Sequence, residues 1–159
     1  MRVLVICSGN ICRSPMAEAY LRHRLARSEM SHVVVASAGT LGINGVPASS
    51  EAVEAMAEID IDVGGHRSQG LTGADLRSSE FVLAMDHEHL EYLATHHAGG
   101  RDRRYLIRAF EKGTEPRTDA PDLADPVGRS LSVFRKQRDT IRVCIDHFVR
   151  ALKHGDIAP

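Results

Sequence analysis

Residues 2–6, Arg2, Val3, Leu4, Val5 and Ile6, form a β-branched apolar run in which hydrophobic and polar positions do not alternate. A strand of that kind is covered on both faces, as strands in parallel sheets are. Three further runs repeat the signal: Val33 to Ala36, Phe81 to Met85, and Tyr105 to Phe110, the last interrupted by Arg108. Helical stripes lie between them. Ala17, Leu21 and Leu25, flanked by Met16 and Tyr20, recur at the spacing of one helix face, while Glu18, Arg22 and Arg24 fall off it, and Pro15 suits that helix's first position. Ala52, Val53, Met56 and Ala57 make a second stripe and Leu90 and Leu93 a third; Val133, Phe134, Ile141, Val143, Ile145, Phe148 and Leu152 make a long last one. The order βαβαβαβα predicts an α/β fold. The expected architecture is a single doubly wound domain over residues 1–159, a four-stranded parallel sheet with helices on both faces.

Composition narrows the function classes. A chain of 159 residues supports one core, and no apolar run is long enough to span a membrane. With 20 basic against 21 acidic side chains the formal charge is −1, so no overall field draws the chain to nucleic acid or to an acidic membrane. The run from Met1 to Cys7 is too short for a secretory signal, and three cysteines, an odd number, do not make a disulfide framework. A reducing, cytoplasmic setting is expected.

Ligands of doubly wound sheets bind beyond the carboxyl ends of the strands. Here the first strand-to-helix turn reads Cys7, Ser8, Gly9, Asn10, Ile11, Cys12, Arg13, Ser14, Pro15: a cysteine, five residues, then arginine and serine. By residue usage alone that spacing arises in about one chain of this length in a hundred. The residue types fit phosphoryl transfer through a covalent intermediate. A helix N-terminus and a guanidinium both favour a thiolate over a thiol, and the same amides and the arginine fork then hold phosphate oxygens. Gly9 leaves the backbone room to curl around an anion, Asn10 suits a left-handed position, and the Ser14 hydroxyl can donate to a departing thiolate.

The stretch from Val5 to Glu18 resembles the signature of the low-molecular-weight protein tyrosine phosphatases. Ser37, Ala38 and Gly39, then His66, Arg67 and Ser68, then Ala84, Met85 and Asp86, and finally Asp125 and Pro126 fall in that family's order, so the resemblance spans nearly the whole chain. It implies a cytoplasmic, metal-free and cofactor-free phosphatase acting on a phosphorylated protein as a monomer or weak dimer. Cys7 would attack phosphorus, Arg13 would bind the phosphoryl group together with the loop Ser8 to Ser14, and Asp125 would protonate the leaving oxygen and later activate water. Asn10, Ser37 and His66 would form a network shaping the loop. Among the aspartates of the proline-rich stretch 112–128, chemistry alone does not separate Asp125 from Asp119 or Asp122; the resemblance does.

Two features depart from the pattern. Members acting on phosphotyrosine usually carry aromatics after the Asp-Pro pair and in the loop after the second strand, where this chain has Val127, Leu41 and Ile43 as slot walls. Protein arginine phosphatases resemble this chain also, but carry threonine where Ile11 stands. Isoleucine offers a guanidinium no hydrogen bond, which ranks an aryl phosphate ahead of phosphoarginine. Arsenate reductases using the same loop need cysteines after the third strand, and 78–97 contains none.

The remaining chemistry-bearing residues read more plainly. Cys12 either packs against the loop or traps an oxidised Cys7 as a disulfide. Cys144, inside an apolar helix pattern, reads as a buried structural thiol. His87, His89, His96 and His97 read as a solvated face rather than metal ligands, and Arg101 to Arg104 as a solvated loop. A phosphate-recognition module without turnover would need the nucleophile, arginine or acid to be missing. A receiver domain would need acidic residues where Cys7 stands.

Overall fold

Strand β1 (Arg2–Cys7) lies between β2 (Val34–Gly39) and β3 (Phe81–Ala84), and β4 (Arg104–Leu106) pairs with β3, in a computed structural model that describes residues 1–159. The order is β2-β1-β3-β4 with every pair parallel. Val3 to Ile6 are wholly buried, which is why the run carries no polar alternation. The chain moves from β1 to β2 in one direction and from β3 to β4 in the other. Right-handed crossovers therefore set α1 (Arg13–Arg27) and α4 (His87–His96) on opposite faces. The long α5 (Leu131–His154) returns to the face of α1, packing against it and against α2 (Ser50–Ala57). The reversal in strand order falls between β1 and β3. There the register sets Ile6 opposite Ala84 and Cys7 opposite Gly39, so Cys7, Gly39 and the residues after Ala84 open into one crevice.

Four expectations need correction. The fourth run pairs only over Arg104–Leu106; Ile107–Phe110 is a 3₁₀ turn that buries Ile107, Ala109 and Phe110, with the Phe110 ring edge-on to Phe148 at 5.2 Å. A short apolar run looks the same in a strand and in a buried turn, and an edge strand has one partner to enforce its length. The first helix starts at Arg13, so Pro15 is its third residue. Of the helix stripes, Val143 and Ala57 are exposed, while Cys144, Val149, Ala151 and Ala55 take the buried places. A short helix, α3 (Gly73–Arg77), has no buried residue and hence no stripe; its signal is the reciprocal cap between Thr72 and Asp75.

Candidate active site

Five residues join β1 to α1, and Asn10 turns them. Its φ of 56° is left-handed, a conformation an asparagine tolerates when its side chain is tied locally. Asn10 Nδ2 donates to Ser14 Oγ (2.7 Å) and Ser37 Oγ (2.9 Å), Oδ1 accepts from the Gln69 amide (3.0 Å), and its carbonyl meets His66 Nε2 at 2.8 Å. The side chain is fully buried. Asn10, Ser37 and His66 are thus brought together. Two members of the network escaped the sequence reading: Glu18, which accepts from the Ser37 hydroxyl and lies 4.0 Å from His66 Nδ1, and Gln69, which donates to the Ser37 carbonyl at 2.7 Å. In the sequence Glu18 was legible as an off-stripe helix charge and as the end of the Val5–Glu18 stretch, with no role attached to it.

Behind the loop stands Gly39. A Cβ there would lie 2.6 Å from the Ser8 carbonyl and 3.0 Å from the Asn10 nitrogen, so only glycine lets β2 approach this closely. Gly9 carries no such constraint, since a Cβ there meets Ile11 and Ile43 side chains at 3.5 and 3.8 Å.

Cys7 Sγ receives the Asn10 N–H at 3.2 Å and lies 2.9 Å from Ser14 Oγ. Because Ser14 Oγ already accepts from Asn10, its own proton is free for a sulfur anion. Beside it, Cys12 stands at the N-cap of α1, where no side chain caps the helix and no acidic residue lies in its first turn. Arg13 is 1% exposed. Its NH1 is committed, donating to Asp86 Oδ2 (2.9 Å) and the Leu123 carbonyl (2.7 Å). The other edge of the fork is not: Nε, also buried, makes no hydrogen bond within the protein, and NH2 has only a 3.5 Å bond to Ser8 Oγ and a 3.7 Å approach to Asp125 Oδ2. A buried guanidinium with one edge tied and the other presented is arranged for bidentate capture of an oxyanion.

The aspartates sort themselves by geometry. Asp125, 46% exposed, accepts the Val127 N–H on Oδ1 and turns Oδ2 toward Arg13. Asp122 instead binds His87 through its backbone N–H (2.8 Å) and ring (2.5 Å), and Asp119 pairs with Arg117. The Leu123 N–H anchors this loop to the Met85 carbonyl at the end of β3, and Pro126 is buried. Asp86, which the sequence reading used only as a landmark, both caps α4 and holds Arg13.

His89 corrects an expectation. It is 2% exposed, 2.9 Å from Ser8 Oγ, and third in α4, where it reciprocates the Asp86 cap. Burial and the nearby Arg13 charge push its pKa down, against the opposing pull of Asp86. His87 and His96 are exposed and His97 is half-buried, and no group of three or more His, Cys, Asp or Glu side chains is placed to hold a metal ion.

Of the slot walls, Leu41 and Val127 are two-thirds exposed, whereas Ile11 and Ile43 are half-buried and flank Gly9. Cys12 faces Ser49 Oγ at 3.6 Å, and burial raises its pKa. Cys144 is buried and its pKa is raised by burial to about 12. A cavity of about 430 Å³ lies behind the loop against Glu18, Ser37, His66 and Gln69. Another of about 560 Å³ lies at the opposite end of the sheet, beside Arg77, Glu80 and Arg103, away from this chemistry.

The fold and the crevice define an α/β protein with a thiol-bearing loop at the switch point of a parallel sheet. The family model for the low molecular weight phosphotyrosine protein phosphatase matches residues 2–156. The chain is 34% identical to a probable low molecular weight protein-tyrosine-phosphatase, EpsP, of Ralstonia nicotianae, covering 95% of each. It is 33% identical to the protein-arginine-phosphatase of Bacillus subtilis over 96% of this chain and 97% of that one. The YwlE arginine phosphatase from Geobacillus stearothermophilus superposes with a TM-score of 0.83 at 32% identity, over 98% of this chain and 94% of that one. The chain belongs to the low molecular weight phosphotyrosine protein phosphatase family, a family of phosphoric monoester hydrolases.

Proposed function

We propose that the chain hydrolyses phosphotyrosine in protein substrates through a phosphocysteine intermediate. Cys7 Sγ attacks phosphorus as a thiolate, the P–O bond to the phenol breaks, and the Asp125 carboxyl passes its proton to the departing oxygen. Water then gives a proton to the Asp125 carboxylate and attacks phosphorus. The P–S bond breaks, and the thiolate returns to the Asn10 N–H and the Ser14 hydroxyl. Charge spread over the equatorial oxygens is met by loop amides and by the Nε–NH2 edge of Arg13. The observation that carries this reading is the division of the Arg13 fork, with NH1 saturated by Asp86 and Leu123 and the buried Nε without a protein partner. Three cysteines without a disulfide suit a reducing compartment, the cytoplasm.

The aryl preference rests on Ile11, which presents carbon beside Gly9 and Ile43 and offers a guanidinium no acceptor. A second reading, hydrolysis of phosphoarginine, is favoured by the likeness to arginine phosphatases and by slot walls without aromatics. Loss of stacking costs about 0.5–1.5 kcal/mol per aromatic pair and leaves the phosphoryl chemistry intact. The test is hydrolysis of matched phosphotyrosine and phosphoarginine peptides by the unaltered protein and by Ile11→Thr. Faster turnover of the tyrosine peptide, with the ratio moving toward arginine in the variant, supports the aryl reading; arginine preference in the unaltered protein reverses it. Cys7→Ser abolishes turnover of para-nitrophenyl phosphate, and turnover retained in that variant ends the mechanism.

A further inference from the structure

Buried His89 is not used by the mechanism above, and its hydrogen bonds favour one ring nitrogen as the carrier of its proton. The Asp86 N–H donates to Nδ1 at 3.2 Å; Asp86 Oδ1 accepts the His89 backbone N–H at 3.2 Å and also lies 3.2 Å from Nδ1, but only the Asp86 N–H makes a hydrogen bond to that ring nitrogen. A neutral ring whose Nδ1 accepts carries its hydrogen on Nε2, and Nε2 stands 2.9 Å from Ser8 Oγ. Burial, against the pull of Asp86 and with the Arg13 charge, lowers the pKa of the ring, which favours its neutral form. Ser8 Oγ also receives Arg13 NH2 at 3.5 Å. A hydroxyl has two lone pairs and one proton. With both lone pairs facing donors, the one bond left for Ser8 to make is as a donor, to an acceptor beside Arg13 NH2.

We propose that the Ser8 side chain donates a hydrogen bond to a phosphoryl oxygen of the substrate, beyond what the loop amides supply, and that His89 is the positioning residue that turns it there. This rests on the phosphatase reading. Ser8 lies at the first residue after the nucleophile, on the guanidinium edge that is not tied to Asp86. Its hydroxyl would otherwise be free to rotate, and the helix cap on the far nitrogen of His89 removes that freedom. A loop of amides alone binds any oxyanion; a hydroxyl locked in one direction favours the geometry in which the phosphoryl group sits against Arg13.

The experiment measures para-nitrophenyl phosphate hydrolysis and inhibition by inorganic phosphate for Ser8→Ala, His89→Ala, Ser8→Ala/His89→Ala, His89→Gln and His89→Asn, each with its thermal unfolding. A glutamine amide reaches where Nε2 stands and can donate to Ser8; an asparagine amide reaches only Nδ1. Ser8→Ala and His89→Ala should each lower kcat/KM by roughly tenfold or more, the range for one hydrogen bond to a charged group, and weaken phosphate inhibition. The double variant should be no worse than either single one. His89→Gln should recover most of the loss and His89→Asn should not. If Ser8→Ala keeps both rate and phosphate affinity within about twofold, the donor role is refuted. If the double variant loses the product of the two single losses, or asparagine serves as well as glutamine, His89 does not act through Ser8. Should His89→Ala fail to fold, the Ser8 variant and the Gln and Asn pair still decide. An unaltered protein inert toward para-nitrophenyl phosphate would instead overturn the phosphatase reading itself.

Discussion

Replacing Gly39 with alanine would drive a methyl group into the back of the anion loop. Gly39 is paired with Cys7 in the ladder, and the new carbon would stand 2.6 Å from the Ser8 carbonyl, with the Asn10 nitrogen and Gly9 carbonyl carbon at 3.0 Å. All three neighbours are backbone atoms, so no side chain can swing aside. The strand cannot retreat either, because the Gly39 N–H donates to the Gln69 carbonyl and its own carbonyl accepts from Leu71. The nearest contact falls about 0.8 Å short of ordinary packing, and that shift has to be taken by the loop that carries Cys7 and Arg13. Overpacking of this kind costs about 1–3 kcal/mol of stability, and moving reacting groups by most of an ångström costs on the order of a hundredfold in rate. Urea unfolding and para-nitrophenyl phosphate kinetics measure the two effects. Gly9→Ala is the comparison, since its methyl would meet only flexible isoleucine ends and should change stability by less than about 0.5 kcal/mol. If Gly39→Ala unfolds within about 0.5 kcal/mol of the parent and keeps kcat within about twofold, the argument that β2 braces the loop is wrong.

Asp86→Ala leaves the buried Arg13 charge with a single carbonyl on NH1 and strips α4 of its cap, so denaturant melts should show a loss of about 3 kcal/mol; a loss under about 1 would contradict the pairing. Cys144 has its folded pKa raised to about 12 from an ordinary 9.0, so the native state keeps a proton that the unfolded chain releases. Its contribution is whole below pH 9 and drains away between pH 9 and 12. The stability gap between the parent and Cys144→Ala should therefore narrow over that window by about 1.4 kcal/mol per pH unit, and a constant gap would refute it. His89 has its folded pKa lowered below the ordinary 6.5, so the unfolded chain takes up the proton first and the stabilisation present above pH 6.5 is lost on acidification. His89→Gln should flatten the stability curve below that pH, and parallel curves for the two proteins would show that His89 is not held neutral.

Much of the fold was legible because its signals are local. Val3 to Ile6 lack alternation because β1 has a helix layer on each side, and the Leu21–Leu25 face of α1 recurs because a helix has to hide one side. The signal failed where one pattern serves two structures, as at Ile107–Phe110, or where an element buries nothing, as at Gly73–Arg77. In the loop, Cys7, Arg13 and Ser14 stood out by type and spacing, since the chemistry is concentrated in eight consecutive residues. Glu18, Gln69, Asp86 and His89 did not, for each is an ordinary polar residue whose partner lies elsewhere in the sequence.

The sequence by itself determined the alternating architecture, the position of the cysteine-bearing turn at the end of the first strand, and the spacing of a thiol and a guanidinium six residues on. Those depend on periodicity and on spacing within one turn, which a chain carries along its length. Tertiary structure alone decided which edge of Arg13 is tied and which is presented, which of three aspartates leans toward it, and that His89 is buried against Ser8. Each of these is set by groups as many as 110 residues apart that meet only because β1 and β3 end side by side. A hydrogen-bond direction belongs to a pair of atoms in space, and no pattern along the chain records it.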